Sequence, residues 1–227
     1  MNNFIDIIKI FANIDNKTKN KIAAVSQIKL YKKGEHLFLD RDNVNTLFFI
    51  IDGIAALYKI GPSLDKKVIF IHGKGDFLNE VIIQKPVASL NCELLCNSKI
   101  LKINVSEFEN LMKEDFTLCK NTLNSMAYRI RRMFHQLKNT SNSVRLDKQI
   151  ASKLWKFSRD FGKNTPDGIE IGFNLSISYL ADIVGSKRET VSRQLKILSE
   201  ENLILVKRNR IIVKDKDKLL NYFKKPW

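Results

Sequence analysis

Cysteine is scarce in this chain of 227 residues: there are three, Cys92, Cys96 and Cys119. An odd and sparse set excludes a disulfide framework and fits a reducing compartment. On one extended strand Cys92 and Cys96 would lie roughly 13 Å apart at about 3.3 Å per residue, whereas a disulfide needs Cα atoms within about 7 Å. Both are expected to be buried structural thiols. Histidine is as thin. His36, His72 and His135 fall on three different elements, so no metal site is expected, and His72 reads as a surface residue beside a turn. Long hydrophobic runs are absent. The longest, residues 47–51 and 54–57, fall far short of the roughly 20 that span a bilayer, so no membrane partner is expected. No phosphate-binding loop, dinucleotide fingerprint or nucleophile elbow occurs, so no catalytic residues are expected and an enzyme is excluded. The opening MNNFIDIIKIF lacks the basic start of a secretory signal, so the expected compartment is the cytoplasm.

Acidic residues are also in deficit. There are 24 Asp and Glu against 39 Lys and Arg, a formal net charge of +15. Such a surplus points to an anionic partner, nucleic acid first and an anionic membrane surface second. Hydrophobic residues make up 44%, enough for a folded core in one large or two ordinary domains.

The pattern then changes along the chain. Residues 4–11 and 17–25 have helical apolar spacing, with Asp15 or Asn16 as a cap. From Ile28 to Ile103, short β-branched and aromatic runs (47–51, 54–60, 67–71, 99–105) are separated by glycine, asparagine, aspartate and proline. Many short strands with regular turns predict a sandwich or barrel. Ser106 with Glu109 has the form of a capping box for the next helix.

Residues 116–139 predict one long helix. Phe116, Cys119, Leu123, Met126, Ile130, Met133 and Leu137 follow one another by three and four residues in turn. That seven-residue repeat is the seam of a coiled coil, and a homodimer is preferred to packing on the helix's own domain. Ala127 and Phe134 lie beside the seam and are expected to pack back onto the sheet domain. The polar stretch 138–145 marks a boundary. Residues 146–161 form an amphipathic helix with Ile150, Leu154, Trp155 and Phe157 to bury. Residues 162–168 read as a loop and 169–173 as a strand.

The segment from Leu175 predicts a helix-turn-helix. Ser176 caps a first helix through Val184, Ala181 is small where two helices cross, and Gly185 suits the tight turn. Ser186 with Glu189 suggests a second capping box. The second helix buries Val191, Leu195 and Leu198. Its outer face offers Ser186, Lys187, Arg188, Glu189, Ser192 and Arg193. Arginine can donate two hydrogen bonds to guanine, glutamate accepts from cytosine, and serine contacts bases or phosphate. After it, residues 203–206 and 211–213 predict a hairpin with a basic tip. There Lys207, Arg208 and Arg210 are placed to touch phosphates. This is a winged helix.

The segment VGSKRETVSRQLKILSEENLI resembles the recognition region of the CRP/FNR transcription regulators. The resemblance continues upstream: Gly34-Glu35, residues 47–53 and GDFLNE (75–80) look like turns and strands of that family's cyclic-nucleotide-binding barrel. It implies an α+β architecture: a jelly-roll, cyclic-nucleotide-binding-like barrel over 1–115, a dimerisation helix over 116–139 and a winged helix-turn-helix over 140–227. It also implies a homodimer on double-stranded DNA, with inverted-repeat, TGTGA-like half-sites and RNA polymerase as partner if it activates. The effector pocket would be lined by Asn79, Glu80, Ala88, Ser89, Met133 and Phe134. Members that bind cAMP carry Gly-Glu and Arg-Ser pairs there, but here Asn79-Glu80 and Ala88-Ser89 stand in their places. With no arginine at Ala88, cAMP is not expected. An apolar or aromatic small molecule is favoured, or no ligand. Arg41, Arg129 and Arg132 are the candidates for a relocated cation. No cofactor is expected, and neither the iron–sulfur nor the haem members' ligand sets are matched. A second reading is a sensor module that regulates a protein partner without reading DNA.

Overall fold

A computed structural model describes residues 4–62, 65–139 and 145–224. Residues 140–144 of the expected boundary stretch lie outside the described residues. The chain divides into two compact units, residues 1–59 with 69–134 and residues 60–68 with 135–227.

The first unit begins with two 3-10 turns, Ile5–Ile7 and Lys9–Phe11, where helical spacing predicted one helix. The spacing serves burial instead: Ile5, Ile8, Ile10 and Phe11 all enter the core. Helix α1 (Asn16–Val25) starts where Asp15 accepts the Thr18 amide, which satisfies one of its orphan donors. Seven strands follow: β1 (Gln27–Tyr31), β2 (His36–Phe38), β3 (Thr46–Asp52), β4 (Ala55–Ile60), β5 (Lys66–His72), β6 (Asn91–Leu94) and β7 (Ser98–Asn104). They form two sheets, β1-β7-β3 and β2-β6-β4-β5. This is a jelly roll of two sheets rather than a closed barrel. The β3-to-β4 turn requires Gly53, whose φ is 114° and whose Cβ would stand 2.1 Å from the Ser98 hydroxyl.

Strand β3 explains the architecture. Its apolar run is continuous because both faces are buried. Leu47, Phe49 and Ile51 point into one core with the N-terminal turns, while Phe48 and Ile50 point into another between the sheets. Phe49 packs against Phe77 at 4.4 Å and Phe11 at 5.3 Å between ring centres. Strands β1, β2 and β6 escape the hydrophobic pattern. The first of them lies at a sheet edge and is largely exposed, so little selects its side chains.

Helix α2 (Val105–Glu114) is capped by Asn104, which accepts the Ser106 amide, so the expected Ser106–Glu109 box does not form. The long helix α3 (Phe116–Asn139) has the expected bounds, and the buried Asp115 caps it by accepting the Thr117 and Leu118 amides.

In the second unit α4 (Leu146–Phe161) buries Ile150, Ala151, Leu154 and Phe157. The segment read as a loop is strand β8 (Gly162–Thr165), paired antiparallel with β9 (Gly168–Ile171). Its polar sequence GKNT lies at an edge and carries no apolar signal. Helices α5 (Ile177–Val184) and α6 (Arg188–Glu200), the hairpin β10 (Ile204–Lys207) and β11 (Arg210–Val213), and α7 (Lys216–Lys224) complete a winged helix. Its sheet order is β10-β11-β9-β8.

Candidate nucleic-acid interface and sensor interior

Ser176 caps α5 by accepting the Tyr179 amide at 3.1 Å. The helix ends at Gly185, which is left-handed at φ 70°, and the Gly185 and Ser186 amides both donate to the Ala181 carbonyl. That turn sets the start of α6, which buries Val191, Leu195 and Leu198. The opposite face exposes Lys187, Arg188, Glu189, Ser192 and Arg193, with Ser186 half-buried. The expected Ser186–Glu189 box is absent: Lys187 is the N-cap and makes no side-chain capping bond. Among the described residues Arg188, Glu189 and Arg193 enter none of the ion pairs of this unit.

The wing is different. Lys207, Arg208 and Arg210 are all exposed. Lys207, however, pairs with Asp167 at 2.5 Å and Arg210 with Glu170 at 3.4 Å. Arg208 sits at the tip with φ 52°. An open cleft of about 900 Å³ lies between the tip and the end of the β8–β9 hairpin, and Lys163, Asn174 and Glu170 share its lining with the wing cations.

In the sensor unit the expected pocket residues scatter. Asn79 is buried, but its amide serves the fold: Oδ1 accepts the Phe48 amide and Nδ2 donates to the Thr46 carbonyl. Ala88 is buried and its backbone is paired with that of Arg41 and Asp42, while Ser89 is exposed. Met133 and Phe134 are 47% and 63% exposed, which removes them from the sensor interior of the protomer. Ala127 is exposed as well, so neither it nor Phe134 packs back onto the sheets. Their positions on α3 turn them away from the stripe that does pack, Leu118, Thr122 and Arg129.

The cation that does reach inside is Arg129, whereas Arg41 is exposed. Arg129 meets Glu80 at 2.8 Å, donates to the Phe77 and Leu78 carbonyls, and lies over the Phe70 ring at 5.6 Å. Arg132 also lies over Phe70, at 5.0 Å. Burial raises the Glu80 pKa even with Arg129 beside it, and burial lowers that of Arg129. His72 is buried rather than at the surface. Its Nδ1 faces Asp76 at 3.2 Å, and Lys9 pairs with the same carboxylate. Burial lowers the His72 pKa to about 4 despite that partner. Burial works against the Asp76 charge, but bonds from His72 and Lys9 hold its pKa well below the ordinary carboxylate range. Cys92 is buried, Cys96 half-buried in the turn after β6, and both are free. Among the described residues no group of three or more His, Cys, Asp or Glu is placed to hold a metal. No described helix is long and apolar enough to cross a membrane.

The seam residues of α3 divide by exposure. Phe116, Leu123, Ile130, Met133 and Leu137 are 47–77% exposed, and Cys119 and Met126 are half-buried. Five of the seven apolar positions at this three- and four-residue spacing are thus exposed on a helix whose other side packs on the sheets.

Family comparisons agree with this order of parts. The cyclic nucleotide-binding domain matches residues 28–115, and the Crp-like helix-turn-helix domain matches 148–222. The global nitrogen regulator of Synechocystis is 23% identical over 82% of this chain and 84% of its own. The cAMP-activated global transcriptional regulator CRP of Salmonella typhimurium is 24% identical over 82% of this chain and 89% of its own. Among solved structures, the c-di-GMP responsive global regulator CLP of Xanthomonas campestris superposes with a TM-score of 0.76 at 17% identity, covering 88% of this chain and all of that one. A jelly-roll sensor unit, a long helix and a winged helix-turn-helix, matched in that order, place the chain in the CRP/FNR family of transcription regulators.

Proposed function

We propose that the protein acts in the cytoplasm as a parallel homodimer that binds an inverted-repeat operator through α6. The observation that carries this reading is the outward face of α6, where Arg188, Glu189, Ser192 and Arg193 stand exposed above a buried apolar face. Arg188 and Glu189 read one G·C pair and Arg193 a second guanine, which gives TGTGA-like half-sites. Lys207, Arg208 and Arg210 add phosphate contacts that carry no sequence information. RNA polymerase is the further partner if the regulator activates. The uncovered stripe on α3 supports the dimer: a two-fold pair of recognition helices suits half-sites about one helical turn, ~34 Å, apart.

The effector is not cAMP. Ala88 offers no cation to a cyclic phosphate, Glu80 adds negative charge, and the cation that enters from α3 is already paired with it. The core between the sheets, in which Phe38, Phe48 and Phe70 are packed, is apolar, which favours an apolar or aromatic effector, or none.

Sequencing of genomic fragments retained by the protein, with light scattering of the same sample, tests the reading. Enriched inverted repeats and a dimer at micromolar concentration are expected. Ile130→Asp puts a charge into the seam and should give a folded monomer that binds such sites far more weakly. A wild-type monomer, or retained fragments with no shared repeat, would sink the proposal.

A further inference from the structure

We propose that Asp167 and Glu170 attenuate DNA binding by holding Lys207 and Arg210 in ion pairs on the wall of a cleft suited to a phosphate backbone. The inference rests on the DNA-binding reading and deepens it, because it separates the wing's three cations and adds Lys163 and two carboxylates to the surface.

The cleft presents four cations, Lys163, Lys207, Arg208 and Arg210, against the single carboxylate of Glu170. Its lining includes Gly172, where a Cβ would stand 2.4 Å from the Phe161 carbonyl, to which the Gly172 amide donates. The rim is held in place too, because the Asn209 carbonyl at the wing tip accepts the Leu175 amide at 3.1 Å. Positive charge and a fixed rim suit the phosphates of a DNA strand.

Within this cleft the cations are not equivalent. Lys207 and Arg210 are matched by carboxylates on the β8–β9 hairpin, whereas Arg208 projects from the left-handed tip. Both cations are open to solvent, with Asp167 exposed and Glu170 half-buried, so a phosphate competes for each cation. The carboxylates still oppose that exchange. Each lowers the number of counterions released when DNA binds, and with it the affinity and its salt dependence. A carboxylate that acts through a phosphate-binding cation does so on all sequences alike.

The test is fluorescence anisotropy of the full chain with an inverted-repeat duplex and a scrambled duplex, titrated from 50 to 200 mM salt. Asp167→Asn and Glu170→Gln should each bind both duplexes more tightly, in the wild-type ratio. Each should steepen the plot of log affinity against log salt by about one unit, so that about threefold of the gain is lost across that range. Lys163→Gln should weaken both duplexes. Glu201→Gln, at an exposed carboxylate beyond the end of α6, controls for net charge alone and should change neither slope nor ratio. Unaltered slopes in the two wing variants overturn the attenuation, as does an equal effect of Glu201→Gln. If no variant nor the wild type binds duplex DNA at any salt, the DNA-binding reading itself fails, and this inference with it.

Discussion

Two sets of charged side chains in this molecule use the same chemistry in opposite settings. In the sensor unit the buried Glu80 is paired with the part-buried Arg129, which also serves two carbonyls and an aromatic ring. In the winged-helix unit, Arg188, Glu189 and Arg193 are exposed, within a few residues of one another, and engaged in no ion pair of that unit among the described residues. The first arrangement is a fixture of the fold. The second is capacity held open for a partner. Burial and pairing, not residue type, separate structural charge from recognition.

The sharpest way to break the comparison is to remove one arginine from each set. Arg129→Met leaves the Glu80 carboxylate buried without its partner, which costs about 3–5 kcal/mol of folding stability. Urea unfolding should show that loss, and adding Glu80→Gln to the same chain should restore part of it. Arg188→Ala should leave the unfolding midpoint within about 0.5 kcal/mol of wild type. Equal stability losses in the two variants would erase the distinction.

The next effect is one of pH. Burial holds the His72 pKa down to about 4, so the folded state prefers the neutral ring. That preference operates fully above the unfolded ring's pKa of about 6.5 and is lost as pH falls from there toward 4, in all on the order of 3 kcal/mol. The depressed pKa of Asp76 acts in a lower window, because its contribution is lost only as pH falls below the ordinary carboxylate range. The unfolding midpoint of wild type should therefore decline between pH 6.5 and 4. His72→Asn, which keeps a donor for Asp76, should lose that decline, leaving the opposite contribution of Glu80, whose raised pKa favours the folded state as pH falls. An identical decline in both proteins would show that other groups carry it.

On the other side of the comparison, Arg188→Ala should cost about 1–3 kcal/mol of discrimination at one base pair of the half-site. Competition binding against duplexes changed one pair at a time reads this directly. A loss spread evenly over all duplexes would instead mark Arg188 as a phosphate contact.

How much of this was legible in the residues depends on whether pattern or partner decides. The bounds of α3 and the buried face of α6 followed from apolar spacing, and the left-handed Gly185 from turn chemistry. Strands β1 and β8 did not, because exposed edge positions leave their sequences polar and free. Spacing revealed the uncovered stripe on α3 but hid the opposite one, because the residues that pack there include Thr122 and Arg129. A buried arginine looks like a surface residue until its carboxylate is found at a distance of 49 positions in the chain. His72 misled for the same reason: its buried ring faces Asp76, a carboxylate that Lys9 from the N-terminal turns also pairs. Both capping boxes proposed from S-x-x-E spacing, one at α2 and one at the recognition helix, failed. The helices begin at Val105 and Arg188, and only the first has a side-chain cap, from Asn104.

The smallest expected effect is a null one, and it completes the comparison. If the cation in the sensor is a fixture, it is not free for an anionic effector. A cyclic phosphate entering the sheets would lose its hydration, meet the Glu80 carboxylate, and find Arg129 already bound. Burying such a charge unpaired costs several kcal/mol. A ligand present at about 100 times its dissociation constant raises stability by about 2.7 kcal/mol. Millimolar cAMP or cGMP should produce no such rise in thermal unfolding, while a panel of small aromatic compounds is the place to look for one. Freeing the cation should reverse the outcome: Glu80→Gln removes the competing carboxylate and leaves Arg129 unmatched, so any affinity for cyclic nucleotides should increase in that variant. A clear rise with cAMP in the wild type, accompanied by tighter operator binding, would show that Arg129 exchanges Glu80 for ligand and that the buried pair is itself a recognition site.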